Sequence, residues 1–373
     1  MRGVTRLAAG GLAIVAVAGS LIAGFGPRPA AQGAQRPARP LMLYVADSRG
    51  VTPINTVTGK AGRPVKVGRG PSEIVITPNG ETLYVANGLG STVSPITVST
   101  LKAGPRVEVG KQPFWLVAAH DGKTVYVLAN GSMTPVSTRT GKPGKPVRIH
   151  GFPQRMAITP NGRTLYVTTN EFNLVYPIGA ASGRVGSPVK VGANPFDVAV
   201  TPDGKTVYVL NSFGDTVTPI STATGKPGKG IKVGESPDAI AFSPDGKTAW
   251  ILNDGFHASV TPINVAKNKP GKSIKVADAR ELGTIVAAPD GKTLYVLGTF
   301  TDTVTPIRIA TGTALKPIPV PSQPLTMVIS PDGKMLYVAS QAAGTVTPIR
   351  TATNTPLKAI RVGPEPIGMV FGP

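Results

Sequence analysis

The sequence predicts an all-β chain: a β-propeller of four-stranded antiparallel blades, eight in number, or seven if one unit is degenerate. Three observations predict it. A Tyr-Val pair recurs at Tyr44, Tyr84, Tyr126, Tyr166, Tyr208, Tyr295 and Tyr337, with Trp250 and Ile251 filling the one gap. The prolines of a TPI-type segment fall at Pro53, Pro95, Pro135, Pro177, Pro219, Pro262, Pro306 and Pro348, in steps of 42, 40, 42, 42, 43, 44 and 42 residues. A period in this range sustained along a chain signals a repeat architecture. Third, the ends are complementary. The chain enters at LMLYVADS (Leu41–Ser48), which matches the second strand of a unit, and finishes with PIGMVFGP (Pro366–Pro373), which matches a first strand. The last strand therefore completes the first blade and leaves no open edge. Residues 41–373 divided among eight units give about 42 residues each, the observed step.

One unit shows why each element is a strand. Between Pro195 and Gly234, FDVAV is a small, β-branched run, PDG a turn, TVYVLN an alternating run, SFGD a turn, TVTPIST a second alternating run, TGKPGKG a turn and IKVG a closing strand. Runs of four to seven residues between Gly, Pro, Asn and Asp turns indicate antiparallel pairing, because the connections are too short for a crossover helix. No stretch after residue 40 carries a persuasive helical period.

The repeated phrases DGKTVYVLN, TVTPI, TATGK and IKVG resemble the YVTN-repeat β-propellers, the YncE-like proteins of bacterial envelopes, over essentially all of residues 41–373. The resemblance is specific for fold. For function it implies exported propellers related in shape to quinoprotein subunits, lactonases and surface-layer proteins, with no shared catalytic set. The chain departs from that pattern in the proline of TPI, which forfeits one backbone donor and so belongs at a bulge or a non-pairing position.

Residues 1–33 read as a signal peptide, 34–40 as a linker and 41–373 as the propeller. Arg2 and Arg6 precede an apolar stretch from Leu7 to Phe25, and small residues Ala31 and Gly33 follow. At 19 residues the stretch is also long enough for an uncleaved anchor, the rival reading. Export to the envelope or beyond is the expectation, with membrane contact only through an uncleaved N-terminus. With no cysteine, stability has to come from packing alone, which a chain of this length can supply. The formal charge is +20, and the first forty residues hold five arginines and no acid, leaving +15 for the propeller. Such an excess suits an anionic cell-wall polymer or another envelope protein; nucleic acid is compatible but not favoured. Basic turns that keep a Gly- and Pro-rich protein soluble explain it equally well.

Residues present in every unit are scaffold: the Asp-Gly and Asn-Gly turns and the tyrosines packed between blades. Sites are sought where units differ. In a propeller the turns after the first and third strands open on one face, which here gathers Lys123, Lys142, Lys145, Lys205, Lys226, Lys229, Lys247, Lys292 and Lys334 into a diffuse basic surface. The opposite face takes seven of the ten phenylalanines: Phe114, Phe152, Phe172, Phe196, Phe213, Phe256 and Phe300. They either plug spaces between loops or wall a binding recess. The residue two places after each first-strand proline, expected at the central mouth, reads Glu73, Trp115, Arg155, Asp197, Ala239, Thr284, Thr326 and Gly368. Its charged and aromatic members cluster in units 2 to 5. Together with Phe114, Phe196, Phe213, Phe256, Arg280 and Glu281 they form the candidate ligand site.

Material for catalysis is thin. Three histidines (His120, His150, His257) and no cysteine offer no metal set, no glycine-loop cofactor motif appears, and no catalytic residue is assigned. The expected function is a non-catalytic binding or scaffolding module without cofactor or metal. The alternative is a lactonase-like or quinoprotein-like enzyme using carboxylates such as Glu73 and Asp197.

Overall fold

In the computed structural model, residues 40–276 and 282–373 are described. Among them there is no helix, and the strands form eight antiparallel sheets. Each sheet is a blade with an inner, a second, a third and an outer strand. In blade 5, Pro195–Val200 pairs with Thr206–Asn211, which pairs with Thr216–Ser221, which pairs with Ile231–Lys232. The other inner strands are Pro71–Ile76, Trp115–Ala118, Pro153–Ile158, Pro237–Phe242, Leu282–Ala287, Pro324–Ile329 and Gly368–Gly372. Each packs against the next, and the last against the first, so the ring is closed with eight blades.

Closure is made as the chain ends imply. Met42–Asp47 pairs with Gly368–Gly372, Met42 opposite Gly372 and Ala46 opposite Gly368. Three further bonds staple the seam: Ile367 N–H to the Ala46 carbonyl at 2.9 Å, Ser48 N–H to the Pro364 carbonyl at 2.9 Å and Gly363 N–H to Asp47 Oδ2 at 3.0 Å. Asp47 is fully buried and also accepts from Thr52 Oγ1 at 2.6 Å and from the Arg49 amide at 2.9 Å. In blades 2, 5 and 6 the same strand end carries Asn87, Asn211 and Asn253, which donate to Thr or Ser hydroxyls.

The repeated proline has a structural reason. Each lies directly opposite the aromatic of the second strand: Tyr84 faces Pro95, Tyr208 faces Pro219 and Trp250 faces Pro262. Its carbonyl points outward, where Pro95 accepts from Gly104 N–H at 2.9 Å and Pro135 from Gly144 N–H at 2.7 Å. An antiparallel residue directs both backbone groups to the same side, so the missing donor also points outward. There the outer strand is split: Lys102–Ala103 and Val107–Glu108 each pair with one end of Thr92–Thr97, and the proline occupies the gap. The inner ladder is undisturbed. A Cβ at Gly144 would approach the Pro135 ring at 3.0 Å, so the glycine and the proline belong to one clip.

The tyrosines fill the seams between blades, as expected of residues present in nearly every unit. Tyr44, Tyr84, Tyr208 and Tyr295 are at most 2% exposed. Their hydroxyls reach the next blade: Tyr126 donates to the Ala180 carbonyl at 3.1 Å, and Tyr208 to Asn268 Oδ1 at 2.6 Å. Burial of these rings with the Val and Ile of the neighbouring sheets forms the core, which runs around the ring.

Candidate functional site

Every inner strand runs from the aromatic face to the basic face, and its first residues surround the centre of the aromatic face. At that end six inner strands break register, between Pro71 and Glu73, Pro153 and Met156, Pro195 and Asp197, Pro237 and Ala239, Leu282 and Thr284, and Pro324 and Thr326. Such bulges re-aim side chains and are frequent beside functional sites. Here they set the residues one and two places after the proline at the mouth.

Arg155 is the centre of the arrangement. It is 7% exposed, and its guanidinium lies 4.5 Å from the Trp115 ring centroid and 4.9 Å from that of Phe196. Two aromatic faces can supply about 2 kcal/mol or more each to a desolvated cation. Nη1 donates to the Gln154 carbonyl at 3.0 Å, and the Trp115 indole donates to the Met156 carbonyl at 2.9 Å, tying the inner strands of blades 3 and 4 together. Burial pulls the Arg155 pKa down, opposed by Asp197, Asp238 and Glu73 in that order.

Those three carboxyls all titrate high. Burial pushes Glu73 up to about 7, its amide bond from Ile74 and the charge of Arg155 acting the other way. Asp197, 6% exposed, rises to about 6 for the same reason, again opposed by Arg155 and by the Val198 amide. Asp238 rises to about 7 through burial and the neighbouring charges of Asp254 and Asp197, against Arg155. Gly368 lets the closing strand approach blade 2, since a Cβ there would crowd Ile74 Cγ2 at 3.1 Å.

Of the residues singled out from sequence, the structure brings together Glu73, Trp115, Arg155, Asp197 and Phe196. Phe114 is half-buried and packs on the cluster that contains Trp115. Phe213 and Phe256 lie elsewhere: they project from second-to-third-strand turns, 81% and 99% exposed. Phe152, Phe172 and Phe300 are likewise 52–66% exposed. These five therefore do not plug spaces between loops: Phe172, Phe213, Phe256 and Phe300 stand on second-to-third-strand turns and Phe152 directly before an inner strand, each open to solvent. Arg280 and Glu281 lie outside the described residues. The site residue that sequence reasoning missed is Asp238. It occupies the bulge, one place after Pro237 rather than two, and an acid beside a repeated proline was the available signal. Among the described residues no three His, Cys, Asp or Glu side chains converge as a metal site. His257 makes only an exposed contact with Glu235 at 4.0 Å.

With this geometry in place, the relationships of the chain follow. The family model of the YNCE-like beta-propeller matches residues 79–371. The chain belongs to the YNCE-like beta-propellers. No curated protein matches it. Solved structures similar to this YNCE-like propeller include Kuenenia stuttgartiensis hydrazine synthase, at 22% identity and TM-score 0.62, covering 78% of this chain and 98% of that one. Dihydro-heme d1 dehydrogenase NirN in complex with DHE aligns at 15% identity and TM-score 0.71, covering 94% and 78%. A putative 6-phosphogluconolactonase from Bacteroides fragilis aligns at 18% identity and TM-score 0.60, covering 91% and 100%. At these identities the likeness establishes the fold alone.

Proposed function

We propose that this YNCE-like propeller is an exported binding module of the cell envelope, whose aromatic-face mouth receives a ligand carrying a positively charged group. The observation that carries this reading is an imbalance among the described residues of the mouth: Glu73, Asp197 and Asp238 are electrostatically coupled to the guanidinium of Arg155. In a chain of net charge +20, three carboxyls gathered at one end of the ring mark a place that differs from the rest of the surface. Trp115 and Phe196 hold the arginine, so its charge is spent within the cluster, while Glu73 and Asp238 are half-buried and reachable. Pairing with a cation restores the carboxylates that burial disfavours.

The sign of the pH dependence follows. In the free protein Glu73 and Asp238 are partly protonated at neutrality; a cationic ligand selects their ionised forms, so affinity rises between about pH 5 and pH 8. A Trp250→Phe variant leaves Trp115 as the one indole reporter. Titrated with small amines, guanidines and quaternary ammonium salts, it is expected to show a saturable fluorescence change that is at least about tenfold weaker at pH 5. Glu73→Gln together with Asp238→Asn removes the response. A response to carboxylates or phosphate esters and none to cations contradicts the proposal.

A second reading rests on the same pKa values. Two carboxyls near 7 are poised for general acid–base chemistry, and one structural neighbour is described as a putative lactonase. Hydrolysis of lactones that disappears in Glu73→Gln with the fold intact selects this reading over binding alone.

A further inference from the structure

We propose that the face opposite the aromatic one docks flat on an anionic lipid bilayer, through the connections between the third and outer strands. Sequence reasoning treated the lysines of this face as one diffuse population, but the structure separates two. Those in the turns between inner and second strands sit beside the turn's own aspartate: Lys205 with Asp203 at 3.8 Å, Lys247 with Asp245 at 3.7 Å and Lys334 with Asp332 at 3.6 Å. These turns are close to neutral. Up to the start of the strand segment that closes each blade, the third-to-outer connections contain no acid, as residues 56–64, 98–106, 138–146, 180–188, 222–230, 265–273, 309–317 and 351–359 show; Glu108 follows within that segment in blade 2. Among the described residues no ion pair reaches a cation of these connections.

The unneutralised cations are also held in place. In blades 3, 5 and 6 the segments GKPGK, GKPGK and NKPGK put Lys142 and Lys145, Lys226 and Lys229, and Lys269 and Lys272 on either side of the same clip. Pro143, Pro227 and Pro270 pair with Val136, Ile220 and Ile263, and Gly144, Gly228 and Gly271 donate to the proline carbonyls of the third strands at 2.7 Å. All six lysines are exposed. Exposed cations in the same connections of the other blades, Lys60, Lys102, Arg184, Lys316 and Lys358, continue the set around the closed ring, so together these charges describe a circle. A linear polyanion meets only a chord of such a circle, whereas a planar anionic surface meets all of it at once.

A second observation selects lipid among planar anions. The described chain enters its first strand at Met42, the start of a second strand, and second strands start on this same face. The sequence leading to that point contains Arg28, Arg36 and Arg39 without an acid, preceded by the apolar stretch Leu7–Phe25. The described chain therefore begins at the basic face, and the sequence that precedes it carries the basic and apolar stretch expected of a signal or an anchor. Docking in this sense leaves the aromatic-face mouth directed away from the membrane. The inference stands independently of the ligand proposed for that mouth.

The test uses residues 34–373, which contain every strand of the ring, and vesicles of phosphatidylcholine with or without one quarter phosphatidylglycerol. Sedimentation is expected only with the anionic vesicles, and to fade as salt shortens the Debye length from about 8 Å at physiological strength. Changing the six clip lysines to Gln should weaken binding by roughly a hundredfold or more, with an unchanged melting curve. Removing neutral pairs instead, by Asp203→Asn with Lys205→Gln and Asp245→Asn with Lys247→Gln, leaves binding as it was. Since the chain has no cysteine, an environment-sensitive dye at Ala223→Cys reports the basic face and one at Phe213→Cys the aromatic face; only the first should respond to vesicles. Equal binding to neutral vesicles or a response from Phe213→Cys overturns the proposal. So does a soluble linear polyanion such as dextran sulfate competing as strongly as phosphatidylglycerol at equal charge, which assigns the face to polymers.

Discussion

A chain ending at Glu365, with Pro366–Pro373 removed, is expected to lose at least about 5 kcal/mol of stability and to melt at least about 10 °C lower. The deletion takes the inner strand from blade 1 and leaves Met42–Ala46 with an unpaired edge. It also removes the Ile367 bond to Ala46 and the Tyr44 hydroxyl's bond to the Pro373 carbonyl at 3.3 Å. Ile367 and Met369, 5% and 7% exposed, go with it, uncovering Ile74 in the next blade. Burial of two such side chains is worth about 1.5–3 kcal/mol each, before the ladder is counted. Because the seam joins residues more than 300 positions apart, nothing local replaces it. Differential scanning calorimetry checks the result, and a synthetic Pro364–Pro373 peptide should recover part of the loss. An unchanged melting temperature contradicts ring closure by this strand.

Arg155→Met is expected to be the most damaging single substitution at the mouth, and to be so in a pH-dependent way. Removing one partner from a buried charge group costs about 3–5 kcal/mol, because the remaining charges lose their compensation. In the native protein Glu73, Asp197 and Asp238 lie above their ordinary values, at about 7, 6 and 7. The folded state thus binds more protons than the unfolded state between about pH 4 and pH 7, and stability falls as pH rises through that window. Arg155 restrains all three shifts, so its loss moves them further up and deepens the fall. At about pH 8 the variant should show its full deficit in urea midpoint; at about pH 5, with the carboxyls largely protonated, most of it should disappear. A deficit of the same size at both pH values would mean that Arg155 acts through packing against Trp115 and Phe196 alone.

Much of this architecture was legible because the repeat writes the same physics eight times. The Tyr and Pro periods mark paired positions on the second and third strands, and the mismatch between Leu41 and Pro366 already states how the ring closes. The mouth was legible only in part. Counting two places from the proline finds Glu73, Trp115, Arg155 and Asp197, since the inner strands share one register. It passes over Asp238, because a bulge brings the adjacent position to the mouth as well, and a bulge leaves no composition of its own. The phenylalanines misled for a different reason. Grouping them by face alone set aside strand order, which also gives distance from the ring centre: Phe196 lies on an inner strand beside Arg155, whereas Phe256 lies in a second-to-third-strand turn in solvent. The lysines divide by what surrounds them: an Asp two residues before Lys205 and none near Lys226 was visible, but its consequence required the turn geometry that places Asp203 against Lys205.

The central claim is that the three carboxyls around Arg155 form one coupled site that a cation completes. It is tested most directly by isothermal titration calorimetry of the cation found in the Trp115 screen, at about pH 6.5 in two buffers of different ionisation enthalpy. Binding is predicted to release about one proton per ring, as Glu73 and Asp238 pass to their ionised forms. Heat that is independent of the buffer, or a proton taken up, would contradict it.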